Sequence, residues 1–178
     1  MHDDLLSMGP LAVIVMGVSG SGKSTLGVSL ATAIGCPFLE GDDFHAPESV
    51  EKMRAGIALT DADRWPWLDR LGHAIGAEVA NNAIAVVACS ALKRVYRTRL
   101  AAAARAPVGF VLMDASPDEL LTRLTARAHH YMPASLLSSQ LDTLERPQPD
   151  EPAIAIDATR PVSASCEQVV AWLLERFG

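Results

Sequence analysis

Short apolar runs alternate along this chain with longer segments in which apolar positions recur at helical spacing. Five apolar runs of strand length predict β-strands, at Leu11–Met16, Pro37–Glu40, Ile84–Cys89, Val108–Asp114 and Ala153–Asp157. Four of them are almost continuously apolar, as strands covered by helices on both faces should be. The alternation of these strands with helical segments predicts an α/β fold around a parallel sheet.

The segments between and after these runs predict seven helices. They cover residues 23–34, 47–55, 66–81, 92–105, 117–128, 133–146 and 163–177. The start of the fifth helix is well marked, because Ser116 can cap it, Pro117 suits its first turn and Glu119 can close a capping box.

A single domain is predicted over residues 1–178, because the sequence contains no internal repeat, low-complexity tract or Gly/Ser linker. The stretch Ala128–Pro152 is polar and interrupted by prolines, and its middle has a helical pattern. Such an insertion in a compact α/β domain is typical of a lid. We expect the lid at about residues 123–148.

The composition is that of a globular protein, with 49% hydrophobic and 20% charged residues in a chain of 178. The three cysteines lie far apart without a C-x-x-C pair, which argues against a disulfide framework or a structural zinc site. The sequence MHDDLLSMGP lacks the features of a signal peptide, and no apolar run is long enough to span a membrane. We therefore expect a cytoplasmic protein with no membrane partner.

The net charge of −6, from 15 basic against 21 acidic residues, disfavours a nucleic-acid partner, which would require a basic face. Anionic substrates would have to be held by local clusters of basic residues.

The strongest chemical signal is GVSGSGKS, from Gly17 to Ser24, which fits the phosphate-loop pattern G-x-x-x-x-G-K-[ST]. It follows the first predicted strand and precedes the first predicted helix. The glycines allow backbone N–H groups to surround a polyphosphate at the N-terminus of that helix. Lys23 would reach the β- and γ-phosphates, and the Ser24 hydroxyl would be a ligand of Mg²⁺.

A nucleotide site alone does not define an activity. The sequence has no N-K-x-D tetrapeptide of the kind that GTP switches use for guanine. A compact phosphate-loop chain with a lid favours a kinase that acts on a small molecule or a nucleotide.

The sequence GDDFH, from Gly41 to His45, follows the second predicted strand. Ligands of open α/β sheets collect at the carboxyl ends of the strands, so Asp42 or Asp43 could orient an acceptor hydroxyl and accept its proton. Both aspartates are equally suited to a capping turn before the next helix. His45 is open to two interpretations, a buried or capping histidine and a catalytic one.

Several basic residues further along the chain could bind an anionic substrate or the phosphates of ATP. Arg64 could hold a substrate carboxylate through two N–H groups or pair with a neighbouring aspartate. Lys93 and Arg97 are four residues apart, share one helix face after the third strand, and could hold an anion or form a solvated surface. Arg123 and Arg127 have the same spacing just before the expected lid. They could clamp ATP phosphates or simply face water.

Five stretches together resemble the gluconokinase (gluconate kinase) family of phosphate-loop kinases. In order along the chain they are GVSGSGKST, GDDFH, KMxxGxxLTDADRxPWL, CSALKRxYR and HxMPxSLLxSQLxTLE, between about residues 12 and 160. The phosphate loop is shared with very many proteins, whereas LTDADRWPWL and CSALKRVYR are far more specific to this family.

The resemblance implies a three-layer, adenylate-kinase- and shikimate-kinase-like fold with a parallel five-stranded sheet and a helical lid. It implies ATP and Mg²⁺ as cosubstrate and cofactor, transfer to the 6-hydroxyl of D-gluconate, and frequent homodimers. The residues it implies for ATP binding are Gly17, Val18, Ser19, Gly20, Ser21, Gly22, Lys23, Ser24 and Thr25.

For the acceptor side, the resemblance favours Asp42 over Asp43 and gives His45 a supporting place in the pocket. The basic residues that it implies for the anionic substrate are Arg64, Lys93 and Arg97, and those for the ATP phosphates are Arg123 and Arg127. Two alternatives remain, a shikimate-kinase-like enzyme and a non-catalytic nucleotide-dependent binding module.

Overall fold

The structure is a computed structural model that describes residue 5, residues 7–126 and residues 133–178. Five parallel strands form one sheet in the order β2-β3-β1-β4-β5. They are β1 (Leu11–Met16), β2 (Phe38–Glu40), β3 (Ile84–Ala88), β4 (Val108–Asp114) and β5 (Ala153–Asp157). The predicted bounds of β1, β4 and β5 are confirmed, and β2 and β3 are each one residue shorter than predicted.

Seven α-helices are described. They are α1 (Lys23–Ile34), α2 (Pro47–Arg54), α3 (Asp61–Asn82), α4 (Arg94–Ala104), α5 (Pro117–Thr125), α6 (Leu137–Thr143) and α7 (Val162–Phe177). Two short 3₁₀ turns occur at Gly41–Phe44 and Ala134–Leu136. The predicted helix over 133–146 is therefore a 3₁₀ turn followed by α6, and residues 127–132 of the predicted helix–lid junction lie outside the described residues.

The start of α3 differs most from the sequence prediction. The helix begins at Asp61, five residues before the predicted start at Pro66. Thr60 and Asp63 form a capping box, in which the Thr60 hydroxyl accepts from the Asp63 N–H and the Asp63 carboxylate accepts from the Thr60 N–H. Pro66 therefore lies inside the helix rather than at its start.

Two helical layers cover the sheet. Side chains of α3 and α4, such as Leu71 and Leu100, pack with Ile14 on one face. Side chains of α1 and α7, such as Leu30 and Leu173, pack with the strands on the other face. Every side chain of β1 is buried, which explains its unbroken apolar sequence. Among the helices that the structure describes, none combines the length and the apolar character that crossing a membrane requires.

The parallel register places the ends of several strands at one edge of the sheet. Ala88, the last residue of β3, pairs with Val15 near the end of β1 and with Glu40 at the end of β2. The loops that leave these strands therefore meet at the carboxyl edge, where ligands of such sheets bind.

Candidate active site

The phosphate loop leads from the end of β1 into α1. Gly17, Gly20 and Gly22 have φ values of 138°, 82° and 95°, which disfavour residues with a Cβ. A Cβ on Gly17 would also lie 3.0 Å from the backbone oxygen of Met113. Gly22 is the N-cap of α1 and has no side chain to cap it, so the positive end of the helix is open to an anion.

The two reactive side chains of the loop have well-defined contacts. The Lys23 ammonium donates to the carbonyl oxygen of Val18 at 2.9 Å, which holds the side chain over the loop. The Ser24 hydroxyl donates to Glu40 Oε2 at 2.5 Å. Burial raises the pKa of the Glu40 carboxyl above its usual value. The sequence prediction missed Glu40, although its place at the last residue of a strand was a usable signal.

One pocket lies between this loop and the end of β2. Its polar lining consists of Ser19, Lys23, Ser24, Glu40, Asp42, His45, Arg64, Ser90, Ser139 and Gln140, and its apolar lining includes Met53, Leu59, Trp67, Leu92 and Leu136. The pocket thus brings together the phosphate loop, the GDDFH turn and Arg64, which are far apart in sequence.

The 3₁₀ turn after β2 separates the two aspartates. Asp42 lines the pocket and is half-buried, whereas Asp43 is exposed to solvent. Gly41 is buried and lies so close to β3 that a Cβ there would be 2.4 Å from the carbonyl oxygen of Ala88. The indole N–H of Trp67 donates to the carbonyl oxygen of Gly41 at 2.8 Å, which fixes the turn against α3.

His45 is a neutral polar group on the pocket wall. Its ring stacks on Trp67 with centroids 4.0 Å apart and planes at 19°. Burial lowers the pKa of His45 to about 4, so the imidazole is uncharged at neutral pH. Its Nδ1 is buried and has no hydrogen-bond partner among the described residues, and its Nε2 is 3.8 Å from Asp42 Oδ1.

Arg64 reaches the pocket from the first turns of α3. Its Nη1 donates to the Tyr96 hydroxyl at 2.8 Å and lies 3.9 Å from Asp61 Oδ1. Lys93, which was expected to hold the same substrate, does not line this pocket. Its ammonium donates to Asp61 at 3.2 Å behind Arg64.

Arg97 does not reach the pocket, contrary to the expectation that it holds the anionic substrate. The residue is only 1% exposed. Its Nε and Nη2 donate to the Glu151 carboxylate at 2.6 and 3.1 Å, and its Nη1 donates to the carbonyl oxygen of Ala91 at 3.0 Å. The guanidinium is therefore part of a buried ion pair that ties α4 to the segment before β5.

Substitution of Arg97 by lysine is expected to lower the free energy of unfolding by about 1–2 kcal/mol, because one ammonium cannot replace the bidentate bond and the bond to Ala91. The KM values for acid and for ATP should stay unchanged. Urea unfolding and steady-state kinetics measure the two effects. A raised KM for the acid with unchanged stability would restore the original expectation.

Arg123 lies on the other side of the phosphate loop. Its Nη1 donates to the carbonyl oxygen of Ser21 at 3.3 Å, and its Nη2 donates to that of Ala158 at 2.8 Å. It lines a second cavity whose other walls are Gly20–Gly22, Thr25 and the segment Thr159–Val162. Arg127, predicted to act with it, lies outside the described residues.

Gln140, on α6, contacts the phosphate loop, which the sequence did not reveal. The backbone N–H of Ser19, within the phosphate loop, donates to Gln140 Oε1 at 2.6 Å. Gln140 lines the pocket together with Leu136 and Ser139. Part of the segment expected to form a lid thus touches the loop directly.

Comparison with known proteins gives consistent results. A family model described as an AAA domain matches residues 13–147. A gluconokinase of Gluconobacter oxydans is 45% identical over 169 residues, covering 95% of this chain and 94% of the relative. The crystal structure of a gluconokinase from Sinorhizobium meliloti is 45% identical with a TM-score of 0.81, covering 94% of each chain. An unliganded sugar kinase from Janibacter is 43% identical with a TM-score of 0.85, covering 92% of this chain and 94% of the other.

Proposed function

The chain belongs to the gluconokinase family, and on that premise we propose that it transfers the γ-phosphoryl group of ATP to the 6-hydroxyl of D-gluconate. The products are 6-phospho-D-gluconate and ADP. The observation that carries the proposal is that the phosphate loop, Asp42 and Arg64 line one pocket. That pocket offers the phosphate loop for a polyphosphate, Asp42 for a hydroxyl and Arg64 for a carboxylate.

The phosphate loop and the cavity beside it suit ATP. Residues 17–25 would bind the phosphates through backbone N–H groups and Lys23, and the base would lie in the second cavity between Arg123 and Thr159–Val162. Arg123 and Arg127 would clamp the ATP phosphates. The Arg123 contact with the loop supports its part.

The residues near Ser24 fit Mg²⁺. The Ser24 hydroxyl and the Glu40 carboxylate supply the oxygen ligands that this ion prefers, and they already lie within 2.5 Å of each other. The described residues contain no cluster of three or more His, Cys, Asp or Glu side chains that could hold a metal alone. We propose that nucleotide oxygens and water would supply the other ligands of the ion. When bound, Mg²⁺ would neutralise charge on the β- and γ-phosphate oxygens.

The acceptor would lie over the GDDFH turn. Asp42 would orient the 6-hydroxyl and accept its proton as the new O–P bond forms. Neutral His45 would form a hydrogen bond with a neighbouring hydroxyl of the sugar acid, and Arg64 would bind the carboxylate of the sugar acid. Lys93, which does not line the pocket, would act indirectly by balancing the charge of Asp61. Arg97 would contribute stability rather than binding.

We also propose that residues at about 123–148 form a lid that excludes water during transfer, since water would compete with the sugar acid as acceptor. The contacts of Gln140 with Ser19 and of Arg123 with Ser21 support this role, because both join the segment to the phosphate loop.

Turnover is expected with ATP and D-gluconate, at a kcat/KM well above that with any other acid of a panel that includes shikimate. Coupled measurement of ADP release tests this. Turnover with shikimate but not gluconate would identify a shikimate-kinase-like enzyme. Binding of ATP without turnover of any acid would identify a nucleotide-dependent binding module.

A further inference from the structure

Tyr96 lies directly behind Arg64 in a crowded and charged setting. Its side chain is among the largest that are fully buried in the structure. The Arg64 guanidinium carbon is 5.2 Å from the centre of the tyrosine ring, the Lys93 ammonium is 5.6 Å from it, and Trp65 packs against its edge. The position of the phenol is therefore fixed from several sides.

Asp61 and Arg64 are three residues apart on α3, a spacing at which an acid and a base normally pair on a helix surface. Here the closest approach of Arg64 Nη1 to Asp61 Oδ1 is 3.9 Å, too long for a hydrogen bond. Each of the two groups instead bonds to the Tyr96 hydroxyl. The hydroxyl accepts from Arg64 Nη1 at 2.8 Å and donates to Asp61 Oδ1.

The arrangement leaves one edge of the guanidinium unused. Nε and Nη2 of Arg64 make no hydrogen bond with any other residue that the structure describes, and Arg64 lines the pocket. That edge carries two parallel N–H groups, the geometry that binds a carboxylate in a bidentate manner. A direct hydrogen bond to Asp61 would occupy N–H groups of the guanidinium and weaken its attraction for a second anion.

We propose that Tyr96 is a positioning residue that keeps Arg64 from hydrogen-bonding directly to Asp61 and so holds its free edge toward the carboxylate of the sugar acid. This rests on the proposed function, in which Arg64 binds that carboxylate. Lys93 assists, because its ammonium donates to Asp61 at 3.2 Å and balances the carboxylate charge.

The Tyr96→Phe variant removes only the hydroxyl. It is expected to raise KM for gluconate about tenfold, the effect of losing one hydrogen bond that orients a charged group. The values of kcat and of KM for ATP should stay within about twofold, since the phosphate loop is untouched.

The Asp61→Asn/Tyr96→Phe double variant separates positioning from simple packing. Without a carboxylate at position 61, Arg64 has no competing partner, so KM for gluconate should return to within about threefold of the wild-type value. A packing defect would not be repaired by this second change. If KM stays high in the double variant, the inference is wrong.

Two further variants complete the experiment. Asp69→Asn breaks the ion pair of Asp69 with Arg99, at 2.7 and 2.8 Å, which joins the same two helices away from the pocket, and it should leave KM for gluconate unchanged. Arg64→Met should raise that KM strongly. Thermal unfolding of each variant monitors the fold.

The outcomes distinguish the role of Tyr96 from the proposed function. A raised KM in Arg64→Met with an unchanged KM in Tyr96→Phe would overturn this inference and leave the proposed function standing. Absence of gluconate turnover in the wild-type protein would overturn the proposed function and this inference with it.

Discussion

Replacement of Lys23 by alanine is expected to lower kcat by about two to three orders of magnitude, the loss seen when one preorganised group that stabilises transition-state charge is removed. Lys23 is the first residue of α1, and its ammonium is held over the phosphate loop by the carbonyl oxygen of Val18. Charge that develops on the transferring phosphoryl group would meet this cation in a partly enclosed pocket. Phosphoryl transfer depends on such positioning more than on covalent chemistry.

The measurement is ADP release at saturating ATP and gluconate, with thermal unfolding as a check on the fold. Because the Lys23 side chain belongs to none of the three hydrophobic clusters found among the described residues, stability should change little. Arg176→Ala is the matched control, since it removes an exposed cation from the last turn of α7. A kcat of Lys23→Ala close to that of this control would contradict the phosphate-loop role.

Substitution of Asp42 by asparagine should lower kcat by about a hundredfold, the lower end of what a positioned general base contributes. Asparagine keeps the size of the side chain and can still hydrogen-bond a hydroxyl, but it cannot take the proton. The KM for ATP should change little, because the phosphate loop is left intact.

The neighbouring aspartate provides the control for this substitution. Asp43 is on the same 3₁₀ turn but is exposed to solvent and does not line the pocket. Asp43→Asn should therefore retain nearly wild-type kcat. Equal losses in both variants would mean that the turn as a whole, rather than the Asp42 carboxylate, matters for the reaction.

Features set by local sequence were predictable. The apolar runs of β1 and β4 have the predicted bounds, and every residue of the two strands except Asp114 is buried, as expected of strands covered on both faces. The phosphate loop is likewise local, since its conformation depends on glycines within eight residues. The early start of α3 was missed because the capping box of Thr60 and Asp63 outweighs the preference of Pro66 for a first turn.

Features set by distant partners were not predictable. Spacing alone put Arg97 on a basic helix face, but its direction is decided by Glu151, which lies on a separate segment before β5. The contact of Gln140 with Ser19 likewise joins residues that only the folded chain brings together. Arg64 lines the pocket, yet Tyr96, the residue to which its guanidinium donates, lies beyond β3 in the chain. Local patterns identify candidate groups, and tertiary packing decides which of them face the site.

The central place of β1 has a consequence for how the protein is made. Leu11 pairs with Ile84, and Ala12 pairs with Val108, so the strand that carries the phosphate loop has no sheet neighbour until much of the chain has left the ribosome. Pairing between such distant segments requires loop closure before the contacts between the strands form, and this slows folding. During synthesis the apolar β1 segment stays without its partners, and the nucleotide site forms only after β3 and β4 have joined it.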